Sequence, residues 1–155
     1  MSKINTKRLS LVLISSLLMA SCASSITMSS DEKTKAYANY AVDKNLESMQ
    51  KITSFRFDGF SSLSDENIII RTTFNRPYLI TLRDRCVNLS FANVIKVNNT
   101  GSSLHVNFDS ISVPENMNMN MNMSPKCFIK EIHKLTKEQQ KEILKIGRET
   151  EEEKT

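Results

Sequence analysis

The chain reads as an α+β fold, a small antiparallel β-barrel or strongly twisted sheet of about six strands flanked by an N-terminal and a C-terminal helix. Three observations carry this expectation. Helix formers with a helical apolar period occupy residues 32–50. β-branched and alternating segments, above all Asn67–Thr72 and residues 78–82, occupy the middle. A T-x-x-Q sequence at Thr136 and Gln139 then opens a second helix near the end.

Before the fold comes an export segment. Lys3, Lys7 and Arg8 precede an apolar run over residues 9–19 that is broken only by Ser10, Ser15 and Ser16. A charged start and a short apolar run make a signal peptide, because a spanning helix needs about 20 apolar residues. Met19, Ala20, Ser21 and Cys22 resemble a bacterial lipobox, with small residues before a thiol that accepts diacylglycerol. The alternative is ordinary cleavage near Ala20, leaving Cys22 as a spare thiol. Ala23 and Ser24 follow instead of the Asp that retains lipoproteins at an inner membrane. The expected location is therefore the periplasm, anchored in the inner leaflet of an outer membrane.

The expected organisation is a signal peptide at 1–21, a lipidated tether at 22–30, one globular domain at 31–150 and a charged tail at 151–155. The full chain has 21 Lys plus Arg against 17 Asp plus Glu. Loss of Lys3, Lys7 and Arg8 with the signal leaves 18 against 17, so the pI near 9.0 belongs largely to the discarded segment. It gives no support to nucleic-acid binding.

In order, the first helix over 32–50 is expected to pack Val42, Leu46 and Met49 on one face, with Tyr37, Tyr40 and Ala41 a turn or two earlier. Ile52, Phe55, Phe57 and Phe60 suggest a strand bent at Gly59. Residues 61–66 connect it to the β-branched strand Asn67–Thr72. Asn75, Arg76 and Pro77 form a turn before a strand over 78–82 that has one drier face. Residues 94–97 and 104–108 flank an Asn- and Gly-bearing connection at 98–103, the pattern of a hairpin. Ile111 to Val113 extend that second strand or begin another, and a last strand covers 127–133. The final helix runs from Thr136 to about Arg148, with Ile143, Leu144 and Ile146 as its apolar content.

A family resemblance rests on the central segments. Ile52, Thr53, Ser54 and Phe55 with Asp58, Gly59 and Phe60; residues 78–82; Arg85, Cys86, Val87, Asn88 and Leu89 with Ala92; Phe108, Asp109, Ser110 and Ile111; and Cys127, Phe128 and Ile129 with Ile132 together resemble a proteobacterial family. Its members are small exported proteins, many of them lipoproteins, with a domain of unknown function and two characteristic cysteines. The resemblance covers residues 52–144. It implies a fold and a compartment and no reaction.

The same cysteines can be read from chemistry alone. In an exported domain, Cys86 and Cys127 are expected to pair as a disulfide. The competing arrangement is a zinc site of Cys86, His105, Cys127 and His133, whose spacings contain neither C-x2-C nor H-x3-5-H. Residues 116–123 repeat Asn-Met four times. Met117, Met119, Met121 and Met123 at period two could present soft sulfur to Cu(I); the alternative is a tolerant loop lengthened by repeat slippage.

Motifs for serine hydrolases, zinc peptidases, phosphate loops and dinucleotide binding are missing from the sequence, and no cofactor is called for. Asp58, Asp65, Asp84 and Asp109 are scattered acids, and Asp109 is the one site candidate among them. The leading expectation is a non-catalytic, lipid-anchored module of the cell envelope that binds an envelope protein, wall polymer or lipid. Periplasmic copper handling and an unrecognised hydrolase are the alternatives.

Overall fold

The computed structural model describes residues 28–73, 76–114 and 124–146. Cys22, the four methionines of the Asn-Met repeat, the signal segment and the tail at 151–155 all lie outside them. Among the described residues the order is α1 (Ser30–Asp43), β1 (Ser48–Met49), β2 (Lys51–Ile52), β3 (Phe57–Ser62), β4 (Asn67–Thr72), β5 (Arg76–Leu82), a 3-10 turn (Leu89–Phe91), β6 (Lys96–Asn98), β7 (Leu104–His105), β8 (Ser110–Ser112), β9 (Cys127–Lys134) and α2 (Lys137–Lys145). Six of the strands form an antiparallel, nearly closed barrel-like sheet in the order β3-β4-β5-β9-β8-β6. The fold is α+β with a helix at each end, as the sequence predicts.

β9 is the hub. β5 pairs along one edge, from Tyr78 opposite Lys134 to Leu82 opposite Ile129. The other edge is shared: β8 takes its start, with Ile111 opposite Cys127, and β1 takes its end, with Met49 opposite Ile132. A register shift between Thr81 and Leu82 skips Lys130. That bulge turns the chain so that Ile129 and Ile132, three residues apart, both reach the inner core.

Two cores follow from strand alternation. Ile68, Ile70, Tyr78, Ile80 and Leu82 point inward with Ile111, Ile129 and Ile132. Ile69 and Leu79 point outward and are covered by Tyr37 of α1, Ile143 of α2, Leu46, Leu63 and Leu135. The outer face of the strand over 78–82 is covered at Leu79, 1% exposed, because the helices roof it, and is half-buried at Thr81. Its turn is also displaced, since Arg76 and Pro77 already belong to β5.

Both helices start on reciprocal caps. Thr136 Oγ1 accepts from Gln139 N at 3.1 Å while Gln139 Oε1 accepts from Thr136 N at 2.8 Å. Ser29 and Glu32 make the equivalent pair ahead of α1. The helices are tied together where the Tyr40 hydroxyl donates to Glu142 Oε2 at 2.6 Å and Lys44 Nζ lies 3.3 Å from the same oxygen. Burial and that carboxylate push the Tyr40 phenol well above its ordinary range.

The first helix is shorter than its apolar period suggests. It stops at Asp43 because Asn45 adopts a left-handed conformation (φ 47°) and Leu46 N turns back to Ala41 O. Val42 is left 73% exposed, Leu46 is buried beyond the helix, and Met49 becomes part of β1. The bend expected at Gly59 is a bulge in β3, where the register with β4 shifts between Phe57 and Gly59. The guanidinium of Arg71 fills the space a Cβ would take at Gly59 and donates to Ser61 Oγ and Phe60 O.

The hairpin over residues 94–108 does not form. β6 pairs with β8, Val97 opposite Ile111, and β7 pairs with β2, Leu104 opposite Ile52. Residues 99–109 instead close around a buried carboxylate, and Ile111 belongs to a separate strand, β8.

Candidate functional site

That carboxylate is Asp109, only 2% exposed. Its Oδ2 accepts from His105 N at 2.6 Å and lies 3.2 Å from His105 Nδ1, and its Oδ1 accepts from the Thr100 hydroxyl at 2.8 Å. Ionised carboxylate acceptors make the stronger class of hydrogen bond. Burial raises the Asp109 pKa, but the bonds from Thr100 and His105 outweigh it and hold the group below the usual carboxylate range. The side chain is thus a bracket for the loop. Asn99 adds two more ties, Nδ2 donating to Gly101 O at 2.8 Å and Ser103 O at 3.3 Å.

The bracket displays an aromatic ring. Asn107 N donates to Ile129 O, and Ile129 N donates to Asp109 O, so three residues of one segment oppose a single residue of β9. Asn107 takes a left-handed conformation (φ 68°) to allow this. Phe108, at the crest, is 80% exposed. Next to it, Arg83 donates to Asn107 Oδ1 at 3.2 Å and stacks its guanidinium 5.7 Å from the Phe128 ring centroid.

Arg83 also ends a groove of about 580 Å³ between α1 and the outer face of the sheet. Ala38, Ala41 and Val42 form the helix wall; Leu79, Thr81 and His133 form the floor; Glu66, Lys130 and Glu131 add charge. His133 Nε2 lies 3.5 Å from Glu131 Oε2, and its Nδ1 is buried without a hydrogen-bond partner among the described residues. Arg83 links the groove to the Phe128 ring and to Asn107, the neighbour of Phe108, and the groove combines apolar walls with a few charged groups, the composition of recognition sites.

A second, smaller cleft of about 380 Å³ lies where the chain enters the fold, lined by Met28, Lys33, Tyr37, Phe91 and Ile146 among others. Asp65 fixes its edge. Its carboxylate accepts from Ser90 Oγ at 2.6 Å and from Arg85 at 2.8 Å, and its backbone N and O bond to Ser30 Oγ and Cys86 N. Burial pushes this carboxyl up; Ser90 and Arg85 pull it further down, so it too ends below the usual range. The Cys86–Cys127 disulfide, with Cα atoms 5.6 Å apart, ties this connection to the start of β9.

Several expected residues are not brought together. Cys86 and Cys127 are consumed by the disulfide, His105 faces Asp109 and His133 faces Glu131. The described residues hold no group of three or more His, Cys, Asp or Glu side chains able to ligate a metal, which removes the zinc arrangement. Asp65 and Asp109 are held by separate sets of donors. Asp65 stands out in the sequence only as one of four scattered acids, and Arg83 does not stand out at all. The one available signal for Asp65 was its place in a Ser- and Asp-rich turn between strands; Arg83 carries no local signal.

No helix among the described residues is long and apolar enough to cross a membrane. A family model described as "Family of unknown function (DUF6491)" matches residues 5–151, wider than the 52–144 of the resemblance drawn from the sequence. No curated protein and no solved structure matches the chain.

Proposed function

The chain belongs to this family of unknown function, DUF6491, and from that premise we propose that it is a lipid-anchored, non-catalytic binding module of the cell envelope. In this reading residues 1–21 direct export, Cys22 carries the lipid in the inner leaflet of an outer membrane, and the two-cysteine domain belongs to a proteobacterial lipoprotein. Support for export comes from the charged and apolar start of the chain together with a disulfide, a bond that persists in oxidising compartments.

The observation that carries the binding role is Phe108. It is 80% exposed at the crest of a bulge beneath which a buried carboxylate makes three polar contacts, and Arg83, bonded to the adjacent Asn107, packs on Phe128 beside it; apolar groups exposed together in this way mark interaction surfaces. Aromatic and Arg side chains are enriched in protein interfaces. The partner is an envelope protein, with a wall polymer as the other outcome. A photo-crosslinker at position 108 in intact cells tests this. One recurrent adduct that is absent with the crosslinker at Lys141 and weakened by Arg83→Ala is the expected result; adducts indistinguishable between the two positions would sink the proposal.

Copper handling is a second reading with its own support. The Asn-Met repeat lies between β8 and β9, which pair at Ile111 and Cys127, so the two described ends of the segment that carries the four thioethers lie side by side. The hydrolase alternative has no such observation behind it.

A further inference from the structure

The groove leaves another set of exposed apolar side chains unused. Val87 is 67%, Phe91 84% and Val94 51% exposed, all on the connection between β5 and β6. This connection is anchored. Cys86 is bridged to Cys127, Leu89 is fully buried, and Ser90 Oγ donates to Asp65 Oδ1 at 2.6 Å. Phe91 and its neighbours are therefore held out from a fixed base.

Phe91 shares the smaller cleft with Met28, so the chain enters the fold beside it. Only five residues lie between Cys22 and Met28, and the six steps from one to the other span at most about 20 Å when extended. A domain of this length is roughly 35 Å across, so an acylated Cys22 cannot let the molecule turn its far side to the bilayer. From this length we infer that the surface around Met28, Val87 and Phe91 seats on the lipid, with Phe91 entering the headgroup boundary as interfacial aromatics do. The contact is carried by the apolar side chains: Arg85 at its margin is already matched by Asp65 at 2.8 Å and Asp31 at 3.7 Å, and Lys33 is the other cation lining the cleft.

The inference rests on acylation of Cys22, and the test separates the two. The chain has no Trp, so Phe91→Trp and Phe108→Trp each supply a single reporter. Each mature protein is purified from bacterial membranes and reconstituted into liposomes of phosphatidylcholine, with and without phosphatidylglycerol, and with plain or brominated acyl chains, a bilayer that adds no tryptophan. F91W loses most of its emission to brominated lipid whatever the headgroup, and F108W keeps it. Slower hydrogen exchange over residues 87–94 of the wild type in liposomes than in detergent gives the same result without a substitution. Intact mass reads the lipid on Cys22. An acylated chain whose F91W is quenched no more than F108W overturns this inference and leaves the anchor standing; an unacylated chain overturns both.

Discussion

Removing the Asp109 carboxylate should cost this domain a sizeable part of its stability. Asp109→Ala strands the His105 amide, 2.6 Å from the lost oxygen, and releases the Thr100 hydroxyl at 2.8 Å. A buried donor left without a partner costs about 1–3 kcal/mol, and a hydrogen bond to a charged group contributes about 1.5–3. About 3 kcal/mol is the expected total, against a net stability of about 5–15 for a domain. In urea, at about 1.5 kcal/mol per molar, the unfolding midpoint falls by about 2 M. Asp109→Asn keeps one acceptor oxygen and places an amide donor against another donor, so it falls between the wild type and the alanine variant. The acid limb gives an independent check. The folded pKa of Asp109 is lowered, so its contribution is complete above about pH 4 and is lost as pH falls through the folded value. The Asn variant should therefore show a flatter loss of stability below about pH 4. If Asp109→Ala and the wild type unfold at the same urea concentration, the carboxylate is not the bracket described here.

Other substitutions should behave as follows. Cys86→Ser with Cys127→Ser opens a bridge spanning 41 residues, which in the chain-entropy model contributes about 4 kcal/mol; thermal unfolding should move down by about 15 °C, and an unchanged midpoint would remove the disulfide from the account of stability. Ile80, fully buried in the inner core, should cost about 2–5 kcal/mol as Ile80→Ala in equilibrium denaturation. Val42→Lys should stay within about 0.5 kcal/mol, since Val42 is 73% exposed, whereas a helix packed through Val42 would lose several times that. For copper, a competition titration of Cu(I) should give micromolar or tighter binding that disappears when Met117, Met119, Met121 and Met123 are all changed to Ala; identical titrations would exclude the metal.

What could be read from the sequence was local. The Thr136 and Gln139 cap is written in adjacent residues, and the strand Asn67–Thr72 has the predicted bounds because its β-branched side chains are buried on both faces. The disulfide was legible from compartment chemistry. Pairing partners were not. The Asn- and Gly-bearing segment at 98–103 has the composition of a hairpin turn, but Asp109 binds Thr100 and His105 and sends Leu104 to β2, a choice made by one buried charge far from the turn. The same holds for the surface. Phe108 looks like a core residue of an alternating strand until the two-residue excess opposite Ile129 pushes it out, and Arg83 acquires its place only when β5 and β9 lie side by side.

The position of β9 has a consequence for how the molecule is made. The strand at the middle of the sheet is the last one among the described residues, so β3, β4 and β5 can form a meander early, but β5 keeps an unpaired edge until residues 127–134 arrive. Closure then joins partners such as Met49 and Ile132, more than eighty positions apart. Such long-range pairing slows folding, and an open strand edge meanwhile invites pairing with other chains. Any truncation that removes the final strand and helix therefore leaves a half-sheet exposing Tyr78, Ile80 and their open backbone, and such a fragment is expected to aggregate rather than fold as a smaller domain.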